Sequence, residues 1–80
     1  MLKKGRDFIK YYERLRKTRI KHGFTQTQIA ERLNIKQSTY AKYECGTRTI
    51  PVDKLREFCL TTNTSSNYIL GLSNNYKYPD

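Results

Sequence analysis

The sequence has no tryptophan, two prolines and only two cysteines in 80 residues. Two cysteines cannot staple a disulfide-dense scaffold, and neither Cys45 nor Cys59 has a Cys-x-x-Cys or Cys/His partner at zinc-site spacing. Both are expected to be reduced thiols in a cytoplasmic protein, with no metal and no other cofactor. Long apolar runs are missing too, so no segment reads as membrane-spanning. The start, Met1-Leu2-Lys3-Lys4-Gly5, is basic but lacks the apolar stretch of a secretion signal. Acidic residues are scarce: 7 Asp and Glu stand against 16 Lys and Arg, a formal charge of +9. That imbalance predicts attraction to polyanions. The groupings that chemistry requires are absent as well. The single histidine, His22, sits at a helix end, and no glycine-rich phosphate loop or carboxylate pair accompanies it. The chain therefore reads as a non-enzyme with no catalytic residues and no evident small-molecule substrate.

What is present is helical periodicity in short pieces, with no repeat and no convincing strand alternation. Over residues 6–22, Phe8, Tyr12 and Leu15 recur at i, i+4 and i+7 among basic residues, and His22-Gly23 ends the helix. Thr25 followed by Gln28 reads as a capping box, with Phe24 placed to staple onto Ile29. The second helix carries Ile29, Ala30 and Leu33 inward and ends near Asn34. A third covers most of the stretch Lys-Gln-Ser-Thr-Tyr-Ala-Lys-Tyr-Glu and stops at Gly46. Pro51 suits the first turn of a fourth, whose apolar stripe is Leu55, Phe58 and Cys59. Residues 61–67 read as a polar loop, in which Ser65 or Ser66 caps a last short helix holding Tyr68, Ile69 and Leu70. The expected fold class is all-α, a five-helix domain over residues 1–72 with a loose polar tail over 73–80.

The second and third helices are each about two turns long, too short to be stable alone. A pair joined by a few residues suits one task, holding a short helix proud of the body so that it can enter a major groove. Ala30 is small enough for a close helix crossing, and Asn34 tolerates the left-handed backbone of a tight turn. Winding the third helix at about 100° per residue puts Tyr40, Tyr43 and Glu44 on one side. Ser38, Ala41 and Lys42 fall on the other, with Gln37 at the border. In the first helix the inward stripe continues at Arg19, and in the third Tyr40 continues at Glu44. Opposite charges ending two inward stripes predict one shared, partly buried salt bridge.

Residues 15–71 resemble the lambda-repressor-like, Cro/cI-type (XRE) helix-turn-helix family. The resemblance rests on Arg19, Gly23-Phe24-Thr25-Gln26, Ile29-Ala30, Leu33, Tyr40, Glu44, Gly46, Arg48, Pro51, Leu55 and Tyr68-Ile69-Leu70-Gly71. It implies a five-helix fold with the helix-turn-helix at about 26–45, binding to double-stranded operator DNA as a homodimer, and no cofactor. It also points to the Arg19–Glu44 pair. Two departures stand out. Lys36 occupies the place where Ser or Thr commonly caps the third helix, and Thr18, Thr62 and Thr64 occupy places where apolar residues are expected.

On this resemblance, Gln37, Ser38, Ala41 and Lys42 are the expected base contacts. Gln can pair bidentately with adenine, Lys can donate to guanine O6 and N7, and Ala can meet a thymine methyl. Gln26, at a helix N-terminus that favours anions, is expected on a phosphate, with Thr47, Arg48 and Lys36 placed similarly. The expected dimer contact lies near the fifth helix, at Tyr68, Ile69 and Leu72 with Ile50 nearby. The implied function is a transcriptional repressor acting by operator occupancy, either complete at this length or the N-terminal half of a longer repressor. An antitoxin that holds a toxin as well as its operator is the alternative. A membrane-surface or RNA-binding role is weaker, because the positive charge is spread around the first helix.

Overall fold

Helix α1 (Tyr11–Lys21) begins where Lys10 leaves extended backbone, and it ends at His22, followed by Gly23 with φ 80°. The structure, a computed structural model, describes residues 10–77. Residues 6–9 and with them Phe8, assigned to the first helix by periodicity, lie outside the described residues, as do 78–80. Helices α2 (Gln26–Arg32), α3 (Gln37–Cys45), α4 (Val52–Thr62) and α5 (Ser66–Ile69) complete an all-α fold. Helix α3 packs against both α1 and α2, while α4 packs against α2 and α5, and α5 returns to α1.

Local chemistry explains most of the boundaries. Thr25 Oγ1 accepts from the Gln28 N–H at 3.1 Å and Gln28 Oε1 accepts from the Thr25 N–H at 2.9 Å, a complete capping box. Asn34 takes φ 59° between α2 and α3, and Lys54 Nζ donates to the Leu33 carbonyl at 2.9 Å, satisfying an orphan acceptor at the end of α2. Gly46 ends α3 at φ 82°, and a Cβ there would meet the Tyr12 ring at 2.7 Å. Both the backbone and the space demand glycine. Ser65 caps α5 by accepting from the Asn67 N–H.

Four boundaries differ from expectation. The first helix starts only at Tyr11, because Lys10, inside the span 6–22 expected to be helical, has extended backbone. Pro51 is the N-cap of α4, one residue before its first turn. Residues 61–62 are helical, so the polar loop starts only at Asn63, which takes φ 53°. The segment 73–77 is docked, not loose. The Ser65 N–H donates to the Tyr76 carbonyl at 2.9 Å, Thr64 and Lys77 form a single antiparallel bridge, and Arg14 Nη1 donates to the Ser73 carbonyl at 3.0 Å.

The core gathers Leu15, Ile29, Leu33, Tyr40, Phe58 and Ile69, drawn from all five helices, with Tyr40 and Phe58 stacked at 6.4 Å. Thr18, Thr62 and Thr64 are buried among these apolar groups. Two of them satisfy their hydroxyls locally: Thr62 Oγ1 donates to the Phe58 carbonyl at 2.9 Å and Thr64 Oγ1 to the Thr62 carbonyl at 3.1 Å. A hydroxyl that bonds the preceding turn can be buried without the penalty of an orphaned polar group. Both cysteines are free thiols, Cys45 exposed and Cys59 buried.

Candidate nucleic-acid interface

Helix α3 carries Tyr40 and Tyr43 into the core and leaves Gln37, Ser38 and Lys42 exposed on the opposite face. Ala41, expected on the same outer face, is half-buried at its margin. Lys36 is an exposed N-cap whose side chain makes no capping bond, so the first turn of α3 keeps free N–H donors. Just past the helix, Thr47 and Arg48 are exposed, but the Thr47 hydroxyl is already engaged with the Lys42 carbonyl at 3.4 Å. The exposed cations Lys36, Lys42 and Arg48 thus border the outer face from start to end.

Behind this face lies a connected set of polar groups. Arg19 Nε stands 2.6 Å from Glu44 Oε2, and Arg19 Nη2 donates to Glu44 Oε1 at 3.2 Å. The third guanidinium nitrogen donates to the Phe24 carbonyl at 2.8 Å, tying α1 and α3 to the entry of α2. Gln26 Nε2 donates to the same Glu44 Oε1 at 3.0 Å, and Gln37 Nε2 donates to Gln26 Oε1 at 2.8 Å. The chain Arg19–Glu44–Gln26–Gln37 therefore runs from a buried ion pair to an exposed residue of the outer face. Periodicity marks its charged end, but the link through Gln26 depends on how α2 and α3 cross. The nearest signal in the sequence is that Gln26 and Gln37 each open one of these two helices.

Electrostatics follow from the contacts. Burial pushes the Glu44 carboxyl up, but the hydrogen bonds from Arg19 and Gln26 outweigh it and hold the group below the usual carboxylate range. The Arg19 guanidinium is raised by its bond to Glu44. Burial pushes the Tyr40 hydroxyl up, and its oxygen has no hydrogen-bond partner among the described residues. Cys45, beside the outer face, is lowered by its hydrogen bond with Thr47, whereas burial pushes Cys59 up to about 11.

The residues expected at a two-fold contact divide. Ile69 is fully buried and Ile50 nearly so, because both close the core, and neither can meet a second molecule. Tyr68 is half-buried under the Arg14 guanidinium, 4.3 Å from the ring centroid. Leu72 is exposed, as is Leu70, and Val52 and Leu70 line one shared groove between α4 and α5. No helix among the described residues is long and apolar enough to cross a membrane.

A family model described as a helix-turn-helix domain matches residues 12–77. The chain is 40% identical over 63 residues to the uncharacterized HTH-type transcriptional regulator YobD of Bacillus subtilis (strain 168), covering 79% of this chain and 56% of that protein. It is 37% identical over 59 residues to the HTH-type transcriptional regulator ImmR of the same organism, covering 74% of this chain and 46% of that one. The chain spans about half the length of these curated relatives. It belongs to the helix-turn-helix family of the lambda-repressor-like, Cro/cI (XRE) type.

Proposed function

We propose that this protein is a sequence-specific double-stranded DNA-binding transcriptional regulator of the cytoplasm, and that it represses by occupying an operator. The carrying observation is the exposed face of Gln37, Ser38 and Lys42 on a short helix that is braced from behind by Gln26, Glu44 and Arg19. A reading helix must hold its side chains in register with base edges, and a braced amide loses less freedom on binding than a free one. In this reading Gln37, Ser38 and Lys42 meet bases, and Ala41 at the margin allows close approach of the helix to a thymine methyl. Lys36 and Arg48 meet phosphates. Gln26 has one amide hydrogen left for a phosphate after bonding Glu44, and its oxygen aims Gln37. Thr47 contributes through its backbone, since its hydroxyl is engaged.

Binding, not catalysis, is the activity. A domain of this size covers few base pairs, so a homodimer on two half-sites about one helical turn, roughly 34 Å, apart supplies useful affinity. Leu72, with Leu70 and the outer part of Tyr68, is the proposed contact. Selection of bound duplexes from a random pool tests the reading. A two-fold symmetric consensus is the expected result, and recovery of no consensus above background contradicts it.

A further inference from the structure

On the far side of α1 from the reading helix, the returning C-terminal segment encloses a cleft of about 210 Å³. Lys17, Thr18, Lys21 and His22 from the end of α1 line it together with Thr64, Tyr68 and Tyr76. Lys17 and Lys21 lie about 160° around the helix axis from Arg19, which faces α3. The cleft exists because the segment 73–77 is held down at several points: the Thr64–Lys77 bridge, the Ser65–Tyr76 backbone bond, and Arg14 Nη2 donating to Asn74 Oδ1 at 3.1 Å.

Its chemistry is one-sided. No acidic residue lines it, and neither lysine is in a salt bridge among the described residues. Lys21 Nζ instead rests 3.3 Å from the Tyr76 ring centroid, and Tyr76 meets Tyr68 edge-to-face at 6.2 Å. Cations without counter-ions among the described residues, set beside a concave aromatic surface, suit an anion that carries a flat apolar body. The volume is smaller than the roughly 300–1,000 Å³ of sites for drug-sized ligands, which limits that body to about one ring. A DNA phosphate on the reading face is excluded by the position on the opposite side of α1. We propose that this cleft binds a small aromatic carboxylate, its carboxylate between Lys17 and Lys21 and its ring against the tyrosines. The site stands independently of the DNA-binding reading.

Two-dimensional NMR of the full chain titrated with benzoate, acetate or inorganic phosphate tests it. Benzoate is expected to give saturable shifts at the amides of Thr18, Thr64 and Tyr76, with acetate and phosphate at least about ten-fold weaker. The Lys17→Ala/Lys21→Ala double variant, which changes residues at the rim of the cleft, should weaken benzoate by about ten-fold or more, the scale of lost charge-assisted hydrogen bonds. Lys21→Gln, which keeps most of the stem, should weaken it in the same direction, and Lys36→Ala should leave it unchanged. The proposal is overturned by benzoate shifts that do not saturate, or by equal binding of all three anions, which marks a mere cationic surface. Shifts confined to Gln37 and Ser38, or retained affinity in folded lysine variants, overturn it equally.

Discussion

Arg19 and Glu44, 25 residues apart, meet through two hydrogen bonds at 2.6 and 3.2 Å, with side-chain exposures of 12% and 3%. The pair ties the first helix to the last turn of α3. Removing one partner leaves the other buried and uncompensated, which costs several kcal/mol, more than an intact pair contributes. Arg19→Ala is therefore expected to lower unfolding free energy by about 3 kcal/mol. Urea denaturation measures it, and a loss below about 1 kcal/mol would place the pair with exposed ion pairs of little consequence.

The same carboxylate gives stability a pH dependence of definite sign. Glu44 is held below the ordinary carboxylate range when folded, so its contribution is fully present above that range. It is lost as the pH falls through the folded value. Acid titration of the melting temperature should therefore show a decline that Glu44→Gln makes shallower, at the cost of lower stability at neutral pH. An identical acid slope in the variant would show that other groups carry the dependence.

These elements differ in how visible they were before the structure. Gly46, Asn34 and the Thr25–Gln28 capping box are local signals, each set by one or a few neighbouring residues, and all three features are present in the structure. The Arg19–Glu44 contact could be inferred because both charges interrupt apolar stripes. Ile69 could not be oriented, since α5 has only 4 residues and one turn has no periodicity to read. The docking of residues 73–77 rests on Arg14, a nearly buried cation whose carbonyl partners lie more than 50 residues away. Nothing in the local sequence sets it apart from the exposed Arg16. The Gln26–Gln37 bond likewise follows from the crossing of two helices.

The exposed Leu72 is expected to matter for assembly. Leu72, 75% exposed, can be changed to Glu without opening the core. On operator DNA, sedimentation should show two chains per site for the natural sequence and loss of the paired species for Leu72→Glu. A single chain per operator in both would show that the protein binds as a monomer.

Arg48 should set affinity without setting preference. It is exposed beside the end of α3, and a phosphate contact there carries no base information. Arg48→Ala should weaken binding to matched and mismatched duplexes alike. It should also reduce the salt slope by about one per half-site. A loss confined to one sequence would reassign Arg48 to base readout.

Base reading by the outer face of α3 is decided by a matched-versus-mismatched binding series for Gln37→Ala and Lys42→Ala. Both side chains are exposed, so neither change should unfold the domain. Each is expected to cost about 1–3 kcal/mol on the preferred duplex and to relax discrimination at one base pair per half-site. Unchanged base preference in both variants would show that α3 does not read bases and that this face is merely solvated.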